Sequence, residues 1–193
     1  MGLVLDDTVR DADGNPYTPI TIGTQTWLVE NLKTTHYNNG DPITIGDANW
    51  PTTTSGMYKT YSSTNYLYNQ YAAYDIRGIC PIGYHIPTIA EWQTLSTYLG
   101  GNSISARHLK RVGEFVGDVT SDNSSGFTML ATGIVQENGS ITNIGTNAIL
   151  MGSLGSAVAV NNDSGTRDVF YTYPNGAIIS TDRYGRSIRC IKD

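Results

Sequence analysis

Apolar residues recur at helical spacing most clearly in "TIAEWQTLSTYLGG", where Ile89, Trp92, Leu95 and Leu99 fall on one face. The helix boundaries are legible beside it. Thr88 stands three before Glu91, the capping-box spacing in which each side chain satisfies an orphan backbone N–H at the helix start. Pro87 disfavours helix upstream by restricting its predecessor, and Gly100 and Gly101 supply a left-handed stop. The pattern predicts a main helix over about 88–99. Burying its four apolar side chains stabilises by roughly 1.5–3 kcal/mol each, with Trp92 and Leu95 expected against a sheet and Trp27 in the same core. A second short helix is expected over about 104–112, in "SISARHLKRV", with Ile104, Leu109 and Val112 inward and His108, Lys110 and Arg111 outward.

Elsewhere the pattern is that of short strands and turns. "TPITIGTQTWLVENL" reads as two extended runs about Gly23 and Thr24, a β-hairpin. Residues 34 to 64 are rich in Thr, Asn, Gly and Pro without a sustained period, so mostly loop is expected, packed through Trp50 and its tyrosines. "NYLYNQYAAY", 65 to 74, is compatible with a short helix. From Gly126 onward come "GFTMLATG", "AVAV", "DVFYTY", "AIIST" and "SIRCI", with Asn175-Gly176 between the third and fourth as a hairpin signal. Strands, then helices, then strands again predict an α+β fold of short antiparallel strands, in one domain spanning 1–193.

Composition narrows the partners. A net charge of −5 without a Lys/Arg run lacks the electrostatic footprint that a phosphate backbone requires, so no nucleic acid is expected. No apolar run is long enough to span a bilayer, so no membrane insertion is expected. The N-terminus "MGLVLDDTVRDADGN" has neither a basic n-region nor a useful apolar h-region, and is read as carrying no signal peptide. That leaves a mature fragment without its leader, a domain of a larger secreted protein, or a protein assembled in a cytoplasm and released by another route, as a phage structural protein is.

"DADGNPYTPITIGTQTWLVENLKTTHYNNGDPI", then "CPIGYHIPTIAEWQTLSTYLGG", then "GFTMLATG" and the terminal "GRSIRCIKD" resemble, in that order and over nearly the whole chain, the Fibrobacter succinogenes major paralogous domain family. The chain departs from the usual family pattern at Tyr84, where Trp is common, and at "ILMGSLGS", where an aromatic-rich block is common. The resemblance implies a C-type-lectin-like fold, related at a distance to the formylglycine-generating-enzyme scaffold and to diversified receptor-binding proteins of phages and bacteria. It also implies a place of work on an extracellular or virion surface.

Against that background the reactive residues read mostly as structure. In a lectin-like fold the final strand returns beside the first elements, which would bring Cys190 to Cys80 as a disulfide; buried free thiols are the alternative. A Cys80 nucleophile with His85 as base lacks a nearby orienting Asn or Asp. His36, His85 and His108 share no zinc-ligand spacing. "DADGN" at 11 to 15 could seat Ca²⁺ but lacks the closing Glu of an EF-hand, and reads as a turn. Glu30, Glu91 and Glu114 have no feature that sets two of them at glycosidase separation. Neither a cofactor nor a metal is expected, and a metal-dependent oxidase or hydrolase on this scaffold is the weaker alternative.

What remains is a segment whose Tyr, Asn, Asp, Gly, Ser and Arg content is that of protein-recognition loops, where rigid amphipathic rings supply contact area and short polar groups supply adaptable hydrogen bonds; an ordinary polar sheet face with solvated loops is the alternative. Asn161, Asn162, Asp163 and Arg167 belong to it, and the candidate ligand-binding set is Asp168, Tyr171, Tyr173, Asn175, Asp182, Arg183, Tyr184 and Arg186. Alternation along "DVFYTY" is expected to send Phe170 to the core and Tyr171 and Tyr173 to the opposite face, near Arg183 and Tyr184. The function that follows is non-enzymatic recognition of a cell-surface glycan or protein, with an oligomer possible. A structural decoration or assembly protein of a virion or cell surface is the alternative.

Overall fold

The computed structural model describes residues 8–46, 50, 52–153, 157–163, 167–173 and 183–193, with backbone alone for 103, 161–163 and 167–173. Short strands and three short helices alternate along it, an α+β arrangement.

The main helix, α2 (Ile89–Tyr98), forms where its sequence signals place it. The Thr88 hydroxyl accepts from the Glu91 N–H at 3.2 Å, and the Glu91 carboxylate accepts from the Thr88 N–H at 2.7 Å. At the other end Gly100 and Gly101 adopt φ 96° and 88°, and the Gly101 N–H reaches back to the Ser96 carbonyl at 2.8 Å. Trp92 and Leu95 are buried, with Ile89 and Leu99 partly buried beside them. Their partner is Trp27 of the first hairpin, β3 (Pro19–Ile22) and β4 (Gln25–Leu28). Its ring centroid lies 4.7 Å from that of Trp92 and 5.5 Å from that of Phe127, which joins the cluster edge-on. Arrangements of this kind gain quadrupole attraction beyond their buried area.

The second helix departs from expectation. α3 runs Asn102–Leu109, and Lys110 leaves it with an extended backbone, φ −70° and ψ 138°. Leu109 and Ala106 are buried as a core stripe, but Ile104 is 45% and Val112 63% exposed, while Lys110 is fully buried. The reason is non-local: the chain turns to bridge Met129, with the Arg111 N–H on its carbonyl at 3.0 Å, and this carries Lys110 inward to Asp118 at 3.1 Å.

The 65 to 74 stretch is helical only at its end. Tyr66–Tyr68 is a strand, β7, and Asn69 caps α1 (Gln70–Ala73) by accepting from the Ala72 N–H at 2.9 Å. β7 pairs antiparallel with β6 (Met57–Thr60), which pairs with β5 (Thr44–Ile45) in parallel, an exception to the expected antiparallel pairing. Loop otherwise dominates 34 to 64, and Trp50 is buried within it. Two more hairpins are small: β1 (Val9–Arg10) with β2 (Pro16–Tyr17), and β9 (Ile134–Val135) with β10 (Ile141–Thr142). A third antiparallel sheet has the order β11 (Asn147–Met151), β12 (Ala157–Asp163), β13 (Arg167–Tyr173). The Asn175-Gly176 hairpin and the "AIIST" strand lie outside the described residues.

One stretch ties these pieces together. Gly185 exchanges backbone bonds with Val135 at 2.9 Å each way, and Arg186 with Tyr68 at 2.9 and 2.8 Å. Ser187 then receives the Met151 N–H, Ile188 the Leu32 N–H and Cys190 the Leu28 N–H. The chain finishes as β14 (Ile191–Lys192) between β4 and β8 (Tyr84–His85), completing a four-stranded sheet β3-β4-β14-β8. Cys190 is bonded to Cys80, with Cα atoms 6.0 Å apart, as the lectin-like reading of the cysteines anticipates. Arg189 is buried in the same run, its guanidinium over the Phe127 ring and donating to Asn31 Oδ1 at 2.7 and 3.0 Å and to the Phe127 carbonyl at 2.6 Å. Among the described residues no helix is long and apolar enough to cross a membrane.

Candidate functional site

Of the candidate ligand-binding set, Asp168, Tyr171 and Tyr173 have a described backbone in β13, opposite Asn162, Ala159 and Ala157 of β12. Phe170 stands opposite Val160, a member of the main core. Ala157 and Ala159 are themselves buried, as are Val158 and Val160, so β12 is covered on both faces along this stretch. The side chains of Asp168, Tyr171 and Tyr173, and Asn175 and Asp182 altogether, lie outside the described residues, as does the expected alternation of side chains along β13.

Arg183, Tyr184 and Arg186 are described, and each is half-buried. Their backbone is held from behind by Trp50. The indole Nε1–H donates to the Arg183 carbonyl at 2.8 Å, and the ring lies so close to Gly185 that a Cβ there would come within 2.7 Å of Cζ2. Gly46 is pressed onto the other side of the same ring system, where a Cβ would sit 2.6 Å from Cε3. Lys59 approaches the indole at 5.6 Å and donates to the Gly139 carbonyl at 2.7 Å. One buried tryptophan thus fixes loops from three distant parts of the chain.

With Gly185 facing Trp50 and Val135, strand alternation turns Tyr184 and Arg186 to the other side. The Arg186 guanidinium lies 5.6 Å from the Tyr184 ring centroid. Arg186 pairs with Tyr68, and Tyr68 with Tyr58 on the next strand, so the three share a sheet face. Tyr58 stacks on Tyr66, centroids 5.4 Å apart at 25°. The result is a row of tyrosines, Tyr66, Tyr58 and Tyr68, ending on Arg186 and Tyr184; all but Tyr68 are partly open to solvent. Burial pushes the Tyr58 phenol up, helped by neighbouring Tyr66 and the charge of Asp13. Tyr184 is tied to this row through Arg186, which pairs with Tyr68 of β7, while the side chains of its expected neighbours Tyr171 and Tyr173 lie outside the described residues. Alternation in "YLY" at 66 to 68 is the signal that marks this face, though nothing local ties it to residue 186.

The remaining candidates resolve into structure. Cys80 is in its disulfide, so it offers no nucleophilic thiol. His85 faces Asp193 through Nδ1 at 2.7 Å and Glu91 through Nε2 at 3.0 Å, joining β8 to the cap of α2. In the "DADGN" turn the Asp11 carboxylate is surrounded by internal donors, from Asp13, Asn15 and the Tyr17 hydroxyl at 2.6 Å. Asp13 accepts from Thr35 and meets His36; burial opposes its charge, but these bonds outweigh it and hold the carboxyl below its ordinary range. Each oxygen of the two carboxylates has a hydrogen-bond partner within the fold. Glu30 binds Thr18, Glu91 caps its helix and Glu114 pairs with Arg111 at 3.9 Å. His108 meets Asp122 at 3.0 Å and Ser124 at 2.6 Å, but both through Nδ1. A serine relay needs the hydroxyl on one ring nitrogen and the carboxylate on the other.

The protein is therefore an α+β protein whose disulfide and terminal segment hold a partly exposed row of tyrosines. The chain matches the Fibrobacter succinogenes major domain over residues 20–192 and belongs to that family. Neither a curated protein nor a solved structure matches it.

Proposed function

We propose that this protein is a C-type-lectin-like, non-enzymatic recognition module that binds a glycan or a protein on a cell surface, and that it works on an extracellular or virion surface. The observation that carries the reading is the tyrosine row ending on Arg186 and Tyr184, set on a backbone bonded on both sides. Rings held by a rigid frame lose little conformational entropy on binding, and a guanidinium at their edge adds hydrogen bonds and charge. A shallow aromatic surface suits the face of a sugar or a protein loop better than a small molecule that must be enclosed. The sequence-derived set Asp168, Tyr171, Tyr173, Asn175 and Asp182 precedes Tyr184 and Arg186 in the chain and is proposed to extend the surface. The experiment is a screen of the purified chain against a glycan array and intact bacterial cells. Saturable binding to one class is expected, and absence of binding throughout contradicts the reading.

A structural decoration or assembly role is the second reading. Val112, Val116 and Val119 are 63–88% exposed, and Val116 adjoins the loop that carries exposed Ile144, its N–H bonded to the Gly145 carbonyl at 2.7 Å. An assembly role predicts a stable oligomer in sedimentation that Val116→Asp dissociates; a monomer at all concentrations removes it.

A further inference from the structure

A second surface, built from other elements, carries chemistry that neither reading uses. Between the β3–β4 turn, the end of α2 and the last turn of α3 lies an open cleft of about 400 Å³, within the range of small-ligand sites. One wall is Tyr98, 64% exposed. Its ring is seated on Gly23, which turns the hairpin at φ 63°; a Cβ there would meet Cδ2, Cγ and Cε2 at 2.9, 3.0 and 3.2 Å. Three ring carbons at nearly equal distance mean that the ring lies over the glycine, so the platform has a fixed orientation although it is exposed.

The other wall is polar. Thr21, His108, Ser124 and Ser125 line it. Asp122 faces His108 Nδ1 at 3.0 Å, and an imidazole whose proton sits on that nitrogen presents Nε2 as an acceptor. The Ser124 hydroxyl stands 2.6 Å from the same Nδ1, and the Ser125 hydroxyl donates to the His108 carbonyl at 2.6 Å. Asp122 is paired with Arg107 at 3.1 Å, and among the described residues no lysine lines the cleft. A charged ligand would find no free counter-charge there, and a purely apolar one would strip water from the hydroxyls without replacing their hydrogen bonds.

We propose that this cleft binds a neutral monosaccharide unit, with its C–H face stacked on Tyr98 and its hydroxyls on His108 Nε2 and Ser124. The inference stands on this cleft alone and does not depend on the tyrosine row. It is tested by NMR titration of the full chain with glucose, galactose, mannose and N-acetylglucosamine up to about 50 mM, a range that reaches the weak affinities of single sugar units. At least one sugar is expected to give saturable shifts at the Gly23, Leu99, Ser124 and Ser125 amides. Tyr98→Ala, at an exposed position, weakens that response at least ~tenfold, Tyr98→Trp retains it, and Tyr184→Ala leaves it unchanged. No response at these amides from any of the four sugars, or a response undiminished in Tyr98→Ala, overturns the proposal.

Discussion

Trp50 lies against Gly185, with room for no side chain between them: a Cβ at 185 would stand 2.7 Å from the indole and 2.7 Å from Val135 Cγ2. The contact is what lets the 183–186 backbone pass between β7 and β9. Gly185→Ala must therefore displace either the tryptophan or the strand. Overpacking of this kind costs about 1–3 kcal/mol, and the measurement is urea unfolding together with the Trp50 indole N–H resonance. Destabilisation with a shifted indole signal is expected. An unchanged midpoint and indole signal would mean that the ring is not seated on Gly185.

The disulfide joins residues 110 apart in sequence, from the bend before the main helix to the run preceding the last strand. On the chain-entropy model, closing a loop of that length stabilises by about 5 kcal/mol. Replacing both cysteines by Ala is expected to lower the unfolding free energy by ~2–5 kcal/mol. A double variant as stable as the parent would contradict the bridge's role in holding the terminal segment.

Leu95 lies in the core between α2 and the Trp27 cluster. Leu95→Ala should cost ~2–5 kcal/mol through lost burial and the cavity it leaves. A loss below about half a kcal/mol in a denaturant titration would place the helix elsewhere.

Asp118 supplies a pH signature. Burial opposes its charge, but the Thr120 N–H, the Lys110 ammonium and the Ser121 and Thr120 donors outweigh that and hold its carboxyl well below the ordinary range. The unfolded chain therefore takes up this proton first as pH falls. The pair's contribution is complete above the unfolded value of about 3.9 and is lost as pH drops through the lower folded value. Asp118→Asn leaves Lys110 buried without its carboxylate and should cost about 3–5 kcal/mol at pH 7. The gap to wild type should narrow as pH falls below about 4, where the unfolded chain takes up the proton while the folded aspartate still holds its charge. A gap that stays constant from pH 7 to pH 2 would show that the pair is not ionic.

What was legible in the sequence was local. The capping box at Thr88 and Glu91, the glycine stop and the stripe of Trp92 and Leu95 are all set by neighbours within a few turns, and each appears in the structure. The α3 face failed for the opposite reason. Lys110 is drawn inward by Met129 and Asp118, partners that no helical periodicity around 104–112 can register. The Trp50 cradle is harder still, because Gly46 and Gly185 are ordinary loop glycines until the fold lays one indole on both. Arg189, buried and bonded among the described residues to Asn31 and backbone carbonyls, likewise has no local signature. On the candidate surface, composition pointed to Tyr184 and Arg186, whereas Tyr58 and Tyr66 joined them only through strand pairings made across the chain.

The central claim is that the tyrosine row ending on Arg186 and Tyr184 is the recognition surface. The most direct test is an equilibrium binding titration against the cell or glycan that the screen identifies, comparing wild type with Tyr66→Ala/Tyr184→Ala and with Tyr171→Ala/Tyr173→Ala. Each variant is first checked for wild-type stability and an intact disulfide. The account predicts that removing Tyr66 and Tyr184 weakens binding at least ~tenfold, the loss expected when two aromatic anchors are truncated. Wild-type affinity in that folded variant would contradict it.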